Sequence, residues 1–247
     1  MAIDGNGATV RIGTWNTYWR GPSGKIGKII QRKLKAAKCD VLCVTEGSAG
    51  ILPDKGYVID AGPDWGCPKR KGRRKVLLWS KQPWLRQTLA RSLHESLKGR
   101  LVVGTTEAKG VCLTVIGVCI PWDGSHVHFC KQDHLPWEDH KRWLQAFQKL
   151  QGSFPKSRTV VLGDFNQKIP KVGRKVPPVV YNALLQTFDG FEFATTGILP
   201  NGLMAIDHIA HTQDLDLPRE SIRIWCKYDN GKKLSDHFGV RGVLCVS

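Results

Sequence analysis

The sequence predicts an α+β protein in which two packed β-sheets are flanked by helices. Short apolar runs typical of strands are spread along all 247 residues, whereas only three stretches have helical periodicity. Helices separate some of the strands but not others, a pattern typical of packed sheets with helices outside them. No repeat, low-complexity tract or Pro/Gly/Ser-rich linker divides the chain, so we expect one domain over residues 1–247.

The strands are predicted from short runs rich in β-branched and other apolar residues. They are too numerous and too evenly spread for an all-helical protein. In chain order they are Thr9–Thr14, Val41–Thr45, Val76–Trp79, Leu101–Thr105, Val111–Ile120, Thr159–Leu162, Ile206–Ala210, Ile222–Cys226 and Val240–Val246.

Three amphipathic segments are predicted to be helices. The first is Gly24–Lys38, and the residues expected on its apolar face are Ile26, Ile30, Leu34 and Ala37. The second is Leu135–Leu150, with Asp133 as its N-cap and Pro136 near its first turn. Its inner side is expected to carry Trp137, Leu144, Phe147 and Leu150. The third is Pro178–Phe188, and the residues expected to reach the core are Val179, Leu184, Leu185 and Phe188.

The composition is that of a folded, basic protein. Apolar residues make up 41% of the chain and nine are Trp, which is ample for a core. Lys and Arg number 37 against 21 Asp and Glu, so the formal net charge is +16. A positive surface of this size attracts polyanions. We therefore expect a nucleic acid among the partners, and the sequence gives no sign of an obligate protein partner.

The eight cysteines form no Cys-x-x-Cys pair, which argues against a zinc site. Cys43, Cys112, Cys119 and Cys245 lie inside apolar runs, where a free thiol behaves as a small buried hydrophobe. This favours a reducing compartment, although the even count leaves disulfides open.

The amino terminus has neither the basic start nor the apolar core of a signal peptide. No apolar run approaches the ~18 residues of a membrane span. We therefore expect a cytoplasmic protein without a membrane span; a nuclear location, or secretion after removal of a leader, stays open.

Polar residues follow several of the predicted strands in a fixed order along the chain. The segments are Thr14-Trp15-Asn16, Val44-Thr45-Glu46, Gly163-Asp164-Phe165-Asn166, Ala205-Ile206-Asp207-His208 and Ser235-Asp236-His237. Because each ends or interrupts a buried run, their side chains are expected to emerge together at one edge of a sheet. A cluster of carboxylates, amides and a histidine of this kind suits a Mg²⁺ phosphodiesterase.

The order of these segments resembles the endonuclease/exonuclease/phosphatase superfamily, which is DNase I-like. The resemblance runs from about Arg11 to Val243, nearly the whole chain. It implies a four-layered α/β sandwich, with two mixed β-sheets packed together and helices on both outer faces. It also implies hydrolysis of phosphodiesters with Mg²⁺, for which Mn²⁺ is a possible substitute.

Three residues are predicted to hold the metal. Glu46 closes a buried apolar run, where an unpaired carboxylate would be costly to desolvate unless it met a cation. The resemblance implies that Glu46 is the principal Mg²⁺ ligand and that Asn16 helps to hold the metal or the phosphate. Asp236 is placed as in family members whose aspartate lies near the metal. For Asn16 the alternative is a turn residue at the end of a strand.

Four residues are predicted to carry the catalytic chemistry. Asp164 and Asn166 are two apart and would project to the same side, although an Asp-x-Asn turn is an alternative. Asp207 would fix the tautomer of His237 and raise its basicity. The expected reaction is in-line attack of water on the phosphorus, with His237, or alternatively Asp164, as the proton acceptor and Asn166 as a donor to the developing charge.

The chain departs from its relatives at two positions. Tyr18 stands where abasic-site endonucleases of the family have an acidic residue, so a second acidic ligand is missing there. Val118 or Cys119 stands where many members place a His or Tyr, so a phosphate contact would come from elsewhere. The candidates for it are Trp122, His126 and His128. His126 and His128 are otherwise expected in a solvated loop, and a packing role is equally open for His208.

Basic clusters flank the motifs and favour a long phosphate backbone as substrate. The residues predicted to bind it are Lys69, Arg70, Arg73, Arg74, Lys168, Lys171 and Arg174, with Trp122 as a base-stacking side chain. Trp65 is a further exposed candidate for stacking. A nuclease acting on DNA or RNA is therefore the first hypothesis. A phosphodiesterase for phospholipid head groups or inositol phosphates is the alternative, and an inactive nucleic-acid-binding module is a third. The choices between DNA and RNA and between internal and terminal cleavage stay open.

Overall fold

A computed structural model describes residues 8–87, 93–128, 130 and 132–246. Within this part of the chain, strands dominate and three α-helices lie between them. The elements are β1 (Ala8–Asn16), α1 (Lys25–Ala36), β2 (Val41–Gly47), β3 (Tyr57–Asp60), β4 (Arg74–Ser80), β5 (Trp84–Gln87), β6 (Leu101–Ala108), β7 (Val111–Cys119), α2 (Glu138–Gln151), β8 (Thr159–Asp164), α3 (Pro178–Thr187), β9 (Phe191–Phe193), β10 (Asp207–Thr212), β11 (Leu215–Asp216), β12 (Arg223–Trp225), β13 (Tyr228–Asp229), β14 (Lys232–Lys233) and β15 (Gly239–Val246).

The strands form two mixed sheets. The first sheet has the order β11-β15-β1-β2-β4-β3, with β12 added beside β15, and the second has the order β5-β6-β7-β8-β10-β9. Each sheet contains one parallel pair, β1 with β2 and β7 with β8, and the other neighbours are antiparallel. A separate hairpin is formed by β13 and β14.

Apolar side chains on both faces of each sheet produce a four-layered sandwich. Val10 and Ile12 of β1 lie between the sheets with Leu162 of β8. On the outer face of the first sheet, α1 is buried against residues such as Trp15 and Leu42 through Ile30 and Leu34. On the outer face of the second sheet, α2 and α3 pack with Phe147 and Leu184 against Ile116 and Val161. The predicted fold class is therefore confirmed.

The sheet topology brings the functional segments to one edge. The parallel pairs place the C-terminal ends of β1 and β2 together in one sheet and those of β7 and β8 together in the other. The antiparallel neighbours β4, β10 and β15 begin where those strands end. Each predicted motif lies at one of these ends.

The predicted strands are all present with ends that differ by a few residues, but several short strands are additional. These are β3, β5, β9, β11, β13 and β14. In β3, Tyr57 and Val58 are exposed, and β5 exposes Leu85. Such edge strands bury too little apolar surface to produce a clear alternating pattern in the sequence.

Two helix predictions need correction. The second helix begins at Glu138 rather than near Leu135, and Asp133 is not its cap, because Trp137 adopts a left-handed conformation (φ 66°) just before it. In the third helix Val179 and Leu185 are exposed, at 69% and 39%. Leu184 and Phe188 are buried as predicted, whereas Val180 and Thr187 are buried in place of Val179 and Leu185.

The cysteines also differ in part from expectation. Cys67 and Cys130 form a disulfide across 63 residues of sequence. Cys43 and Cys119 are buried free thiols as predicted, whereas Cys112 is exposed and Cys245 is only partly buried. Among the helices of the described residues, none combines the length and apolarity that crossing a membrane requires.

Two buried histidines hold the second sheet to the segment that follows β8. His140 on α2 bonds through Nδ1 to the carbonyl oxygen of Pro121 (2.7 Å) and accepts a bond from Gln167 Nε2 (2.8 Å). His208 on β10 contacts the carbonyl oxygen of Gln167 (2.9 Å) and is completely buried. Burial lowers the pKa of both histidines to about 4, so both are neutral in the folded protein at neutral pH. The packing role left open for His208 is the one it has.

We predict that His140 makes the protein less stable in mild acid. The pKa of His140 is lower in the folded protein than in the unfolded chain. The stability that this difference contributes is therefore complete above the unfolded-state pKa of about 6.5 and is lost as the pH falls toward about 4. Its contribution over this range is at most about 3 kcal/mol. The free energy of unfolding of wild type and His140→Gln, measured in urea from pH 7 to pH 4, should converge as pH falls. Parallel pH profiles for the two proteins would contradict this.

Candidate active site

A cavity of about 910 Å³ opens where the strand ends meet. Its wall contains six of the predicted metal-binding and catalytic residues, namely Asn16, Glu46, Asp164, Asn166, Asp236 and His237. Asp207 lies behind His237 and is 1% exposed. The fold therefore brings all the motif residues to one place, while their individual roles remain predictions.

Hydrogen bonds fix the end of β1 to the segment that contains His237. Ser235 Oγ donates to the carbonyl oxygen of Asn16 (2.7 Å), and Trp15 Nε1 donates to that of His237 (3.1 Å). The backbone N–H of His237 in turn donates to Ser235 Oγ (3.1 Å). Ser235 is completely buried, so its hydroxyl has a structural function in this motif.

Asn16 connects the strand ends of the two sheets. Its backbone N–H donates to Asp207 Oδ1 (3.2 Å), and its Nδ2 donates to Asp164 Oδ2 (3.0 Å). Its Oδ1 accepts the backbone N–H of Tyr18 (2.9 Å). Asn16 is 1% exposed, so this amide is held in one orientation by bonds on both of its ends.

Asp207 and His237 form a close pair. His237 Nδ1 donates to Asp207 Oδ2 at 2.6 Å, which assigns the proton to Nδ1 and leaves Nε2 for the cavity. The His237 side chain is 12% exposed and that of Asp207 is 1% exposed. Asp236 Oδ1 lies 3.9 Å from His237 Nε2 and belongs to a side chain that is 40% exposed.

A second carboxylate faces Asp164 from behind the cavity wall. Asp164 on β8 is directly opposite Asp207 on β10 in the antiparallel register, and both are buried. Burial and the charge of Asp207 raise the pKa of Asp164 to about 7, against the opposing effect of His237. Burial also raises the pKa of Asp207. Ligand atoms of Asp164, Asp207 and His237 lie within 4.8 Å of one another.

His237 is the cation that offsets this pair of carboxylates. Burial alone would lower the pKa of His237, but Asp207 and Asp164 outweigh it and raise the pKa to about 10. At neutral pH the ring is therefore an imidazolium that can donate from both nitrogens. Asp164, with a pKa near neutrality, can accept a proton from a neighbouring group.

Backbone conformations that are rare for residues with side chains recur at this site. Glu46 and Asn166 have φ values of 48° and 54°, in the left-handed region. Asn166 Nδ2 donates to the carbonyl oxygen of Ile120 (2.8 Å), which holds the residue after β8 against the end of β7. Gly163 has a φ of 149°, and a Cβ there would lie 1.9 Å from the carbonyl oxygen of Val118. Only glycine fits at this position of the Gly-Asp-Phe-Asn segment.

Glu46 has a cationic partner that the sequence did not predict. Lys75 Nζ on β4 contacts Glu46 Oε1 at 2.5 Å, and the two side chains are 10% and 18% exposed. Burial would raise the pKa of Glu46, but Lys75 outweighs it and holds the pKa below its ordinary value. Lys75 Nζ also lies 5.2 Å from the centre of the Trp19 ring. The sequence did show that Lys75 directly precedes the apolar run of β4, which would have placed Lys75 on that strand.

The donor set fits a hard divalent cation. Glu46 and Asp236 supply carboxylates and Asn16 an amide, and all three line the same cavity. Carboxylate and amide oxygens, completed by water, are the ligands that Mg²⁺ prefers. The ion pair with Lys75 keeps Glu46 ionised although it is buried, as a metal ligand must be. Lys75 and a bound metal would compete for Glu46 Oε1.

The predicted substrate-binding residues have different surroundings. Trp122, Lys168 and Lys171 line the cavity, and Trp122 lies 6.5 Å from the His128 ring. Lys69, Arg70 and Arg174 are exposed and are not among the lining residues. Arg73 stacks over Trp19 at 5.0 Å, and Arg74 Nε forms an ion pair with Asp60 (2.9 Å). Trp65 is 8% exposed and stacked on Trp19 at 5.4 Å between ring centres, so its predicted exposure was wrong.

Arg100 is a cavity residue that sequence reasoning missed. It is 6% exposed and donates to Ser125 Oγ (3.2 Å) and to the carbonyl oxygen of Cys119 (3.5 Å). Arg100 therefore places a fixed positive charge at the end of β7. This is where the chain has Val118 and Cys119 in place of the His or Tyr expected from the resemblance. A charged residue directly before the apolar run of β6 was the signal that could have found it.

The solvated position expected for His126 and His128 is correct for His128, which is exposed, and incorrect for His126. His126 Nδ1 and His134 Nδ1 both contact the carboxylate of Asp139, each at 2.6 Å. The side chains of His126 and Asp139 are each 11% exposed. These groups form an ordered polar cluster beside the cavity.

Comparison with known proteins gives the family. The model of the Endonuclease/Exonuclease/phosphatase family matches residues 13–237, which is most of the chain. The chain belongs to this family, whose members are hydrolases of phosphoester bonds that typically use divalent metals. A search of curated protein sequences finds no significant match.

Solved structures with the same fold include enzymes that act on DNA. An endonuclease/exonuclease/phosphatase from Bacteroides vulgatus is 17% identical with a TM-score of 0.66, covering 97% of this chain and 99% of that one. The 3′ phosphatase NExo from Neisseria, bound to a product DNA hairpin, is 16% identical with a TM-score of 0.67, covering 94% and 98%. An AP endonuclease from Archaeoglobus fulgidus is 18% identical with a TM-score of 0.61, covering 96% and 99%. At these low sequence identities, the similarity to the three solved structures establishes only the fold of this chain.

We predict that Glu46 and Lys75 are strongly coupled in the absence of metal. Lys75→Met leaves a buried carboxylate and Glu46→Gln leaves a buried ammonium, and each should destabilise the protein by about 3 kcal/mol. The double variant should lose much less than the sum, because neither charge remains. Urea unfolding of the three variants in a chelating buffer measures this coupling.

The exposed pair of Lys69 and Asp64 provides the matched control. Their side chains are 63% and 59% exposed, so Lys69→Met should have little effect on stability. Additive effects of the Glu46 and Lys75 substitutions would contradict the coupling.

Proposed function

We propose that this chain is a divalent-metal-dependent nuclease that hydrolyses backbone phosphodiesters of DNA or RNA through in-line attack by water. The observation that carries the proposal is the cluster of Asp164, Asp207 and His237, of which Asp164 and His237 line a cavity with a basic and aromatic wall. The cluster supplies proton acceptors and donors, and the wall suits a charged polymer with bases.

Mg²⁺ is the metal we propose, with Mn²⁺ as a substitute, held by Glu46, Asp236 and Asn16. When bound there, it would neutralise the charge of the phosphate oxygens. The oxygen donors on the cavity wall support this assignment, and the Lys75 ammonium supports Glu46 as a carboxylate that binds cations.

Asp164 is the proton acceptor that we propose for the attacking water. Its oxygens accept bonds from Asn16 Nδ2 and from the backbone N–H of Asn166 (2.9 Å), which orient the carboxylate and leave further lone pairs. A base is most effective when its pKa lies near the working pH, and that of Asp164 is about 7. Of the two acceptors that the sequence left open, Asp164 is therefore favoured over His237.

His237 is proposed to act as a donor to the phosphate. Asp207 holds its Nδ1–H, so Nε2–H remains for a phosphate oxygen of a substrate in the cavity. Asn166 has a second hydrogen on Nδ2 beyond the one given to Ile120, and this hydrogen is available to the developing negative charge. Arg100 adds a positive charge on the wall near Cys119.

The basic wall favours a nucleic acid as the substrate. Lys168 and Lys171 follow Asn166 closely in sequence and line the cavity beside Trp122. Lysines contribute to phosphate binding without reading sequence, and an aromatic ring stacks on any base. The formal net charge of +16 also attracts a nucleic acid, and it does so over longer distances.

Substitution of Glu46, Asp164 or His237 should slow cleavage strongly without unfolding the protein. We expect Glu46→Gln, Asp164→Asn and His237→Gln each to lower the rate on a labelled oligonucleotide by roughly 10²-fold to 10⁴-fold. His94→Ala is the control, because His94 is exposed and lies outside the cavity wall. Circular dichroism verifies folding of each variant. A fully active Asp164→Asn enzyme would exclude Asp164 as the base.

The wall lysines should affect polymer substrates more than small esters. Lys168→Ala with Lys171→Ala should weaken binding of a long oligonucleotide and reduce the slope of log affinity against log salt by about one per lost contact. Hydrolysis of a small aryl phosphodiester should change little. Lys35→Ala, on the exposed side of α1, is the control. An unchanged salt slope in the double variant would remove these lysines from the substrate-binding surface.

A further inference from the structure

Two cysteines and a histidine from separate loops meet at the rim of the cavity. Cys67 lies between β3 and β4, and His126 and Cys130 lie between β7 and α2. The Cα atoms of Cys67 and Cys130 are 5.3 Å apart, and Cys67 Sγ is 3.8 Å from His126 Nε2. The ligand atoms of all three residues lie within 4.8 Å of one another. In the structure the two sulfurs are joined as a disulfide.

The hydrogen bond of His126 to Asp139 leaves Nε2 facing the sulfurs. Its Nδ1–H donates to Asp139 Oδ2 at 2.6 Å, so the neutral ring carries its lone pair on Nε2. The described neighbours of Nε2 are Cys67 Sγ and the carbonyl oxygen of Gly66 (3.2 Å), and neither carries a hydrogen when the disulfide is formed. Nε2 is therefore the ring nitrogen that lies beside the sulfurs.

Asp139 is fixed in the position that orients His126. It lies in the first turn of α2, and its other oxygen accepts a bond from His134 Nδ1 at 2.6 Å. Its side chain is 11% exposed. Histidines that bind metals commonly donate their other ring N–H to a carboxylate, which fixes the tautomer and raises the basicity of the ligand nitrogen. His126 already has this arrangement on the side away from the sulfurs.

We propose that Cys67, Cys130 and His126 bind Zn²⁺ in the reduced protein, through two thiolates and Nε2. Two sulfurs and one imidazole nitrogen form a ligand set that Zn²⁺ accepts, with a fourth position left for water. Thiolates are poor ligands for Mg²⁺, so this site is distinct from the one at Glu46. The two cysteines are 63 residues apart, so no Cys-x-x-Cys spacing marked them in the sequence.

The disulfide and the zinc ion exclude each other because both use the same sulfurs. A thiol reductant delivers two electrons and two protons to the disulfide, which breaks the S–S bond and gives two thiols. Zinc then displaces both thiol protons to the solvent and bonds to the thiolates. Either state links the β3–β4 loop to the β7–α2 loop. Because Cys67, His126 and Cys130 line the cavity, this link holds the rim of the cavity in both states.

Zinc binding by the purified protein tests the site independently of nuclease activity. Purified protein is reduced with a phosphine, incubated with Zn²⁺, passed over a desalting column and analysed for metal. We expect one tightly held zinc per chain after reduction and none in the oxidised protein. Cys67→Ser, Cys130→Ser and His126→Gln should each lose it. Cys112→Ser and Cys226→Ser are the controls, because these exposed cysteines lie outside the site.

Two further measurements keep the test decisive if a variant does not fold. In reduced wild type, zinc should protect Cys67 and Cys130 from alkylation, as mapped by mass spectrometry, and leave Cys112 and Cys226 reactive. Asp139→Asn should weaken zinc binding by roughly 10-fold to 100-fold, because Asp139 orients His126. Reduced wild type that retains no zinc, or equal alkylation of all four cysteines with and without zinc, would overturn the proposal.

Discussion

The hydrogen bond between His237 and Asp207 is the interaction on which the rest of the site depends. Asp164 and Asp207 are buried on adjacent strands and face each other directly, an arrangement in which like charges repel. The imidazolium of His237, 2.6 Å from Asp207, supplies the opposite charge. Its position is set by bonds to Ser235 and Trp15, so the first sheet provides the cation that the carboxylates of the second sheet require.

A similar balance holds for two further acids in and beside the cavity. Glu46 is paired with Lys75, and Asp139 with His126 and His134. Burial makes an unpaired charge expensive, so each acid is held beside a group that carries or can accept a proton. A metal ion or a phosphate entering such a cavity meets charged groups that are already oriented. This preorganisation is the physical basis for catalysis by electrostatic stabilisation.

The sequence predicted the parts of the structure that depend on local pattern. Asn16, Glu46, Asp164 and His237 could be placed together because each lies at the end of an apolar run. Contacts between residues that only the tertiary fold brings together could not be predicted in the same way. Lys75 was one of many basic residues until the register of β2 and β4 put it beside Glu46. Cys67 and Cys130 meet only because two distant loops share the rim of the cavity, and the short edge strands bury too little to leave a pattern.

Nuclease activity is tested most directly by a cleavage assay with purified protein on supercoiled plasmid, single-stranded DNA and single-stranded RNA. Each substrate is incubated with Mg²⁺, with Mn²⁺ or with EDTA, and phospholipid and inositol phosphate substrates are assayed in parallel. We predict cleavage of at least one nucleic acid that requires a divalent metal and stops in EDTA. Hydrolysis of the lipid or inositol substrates with all three nucleic acids left intact would contradict it.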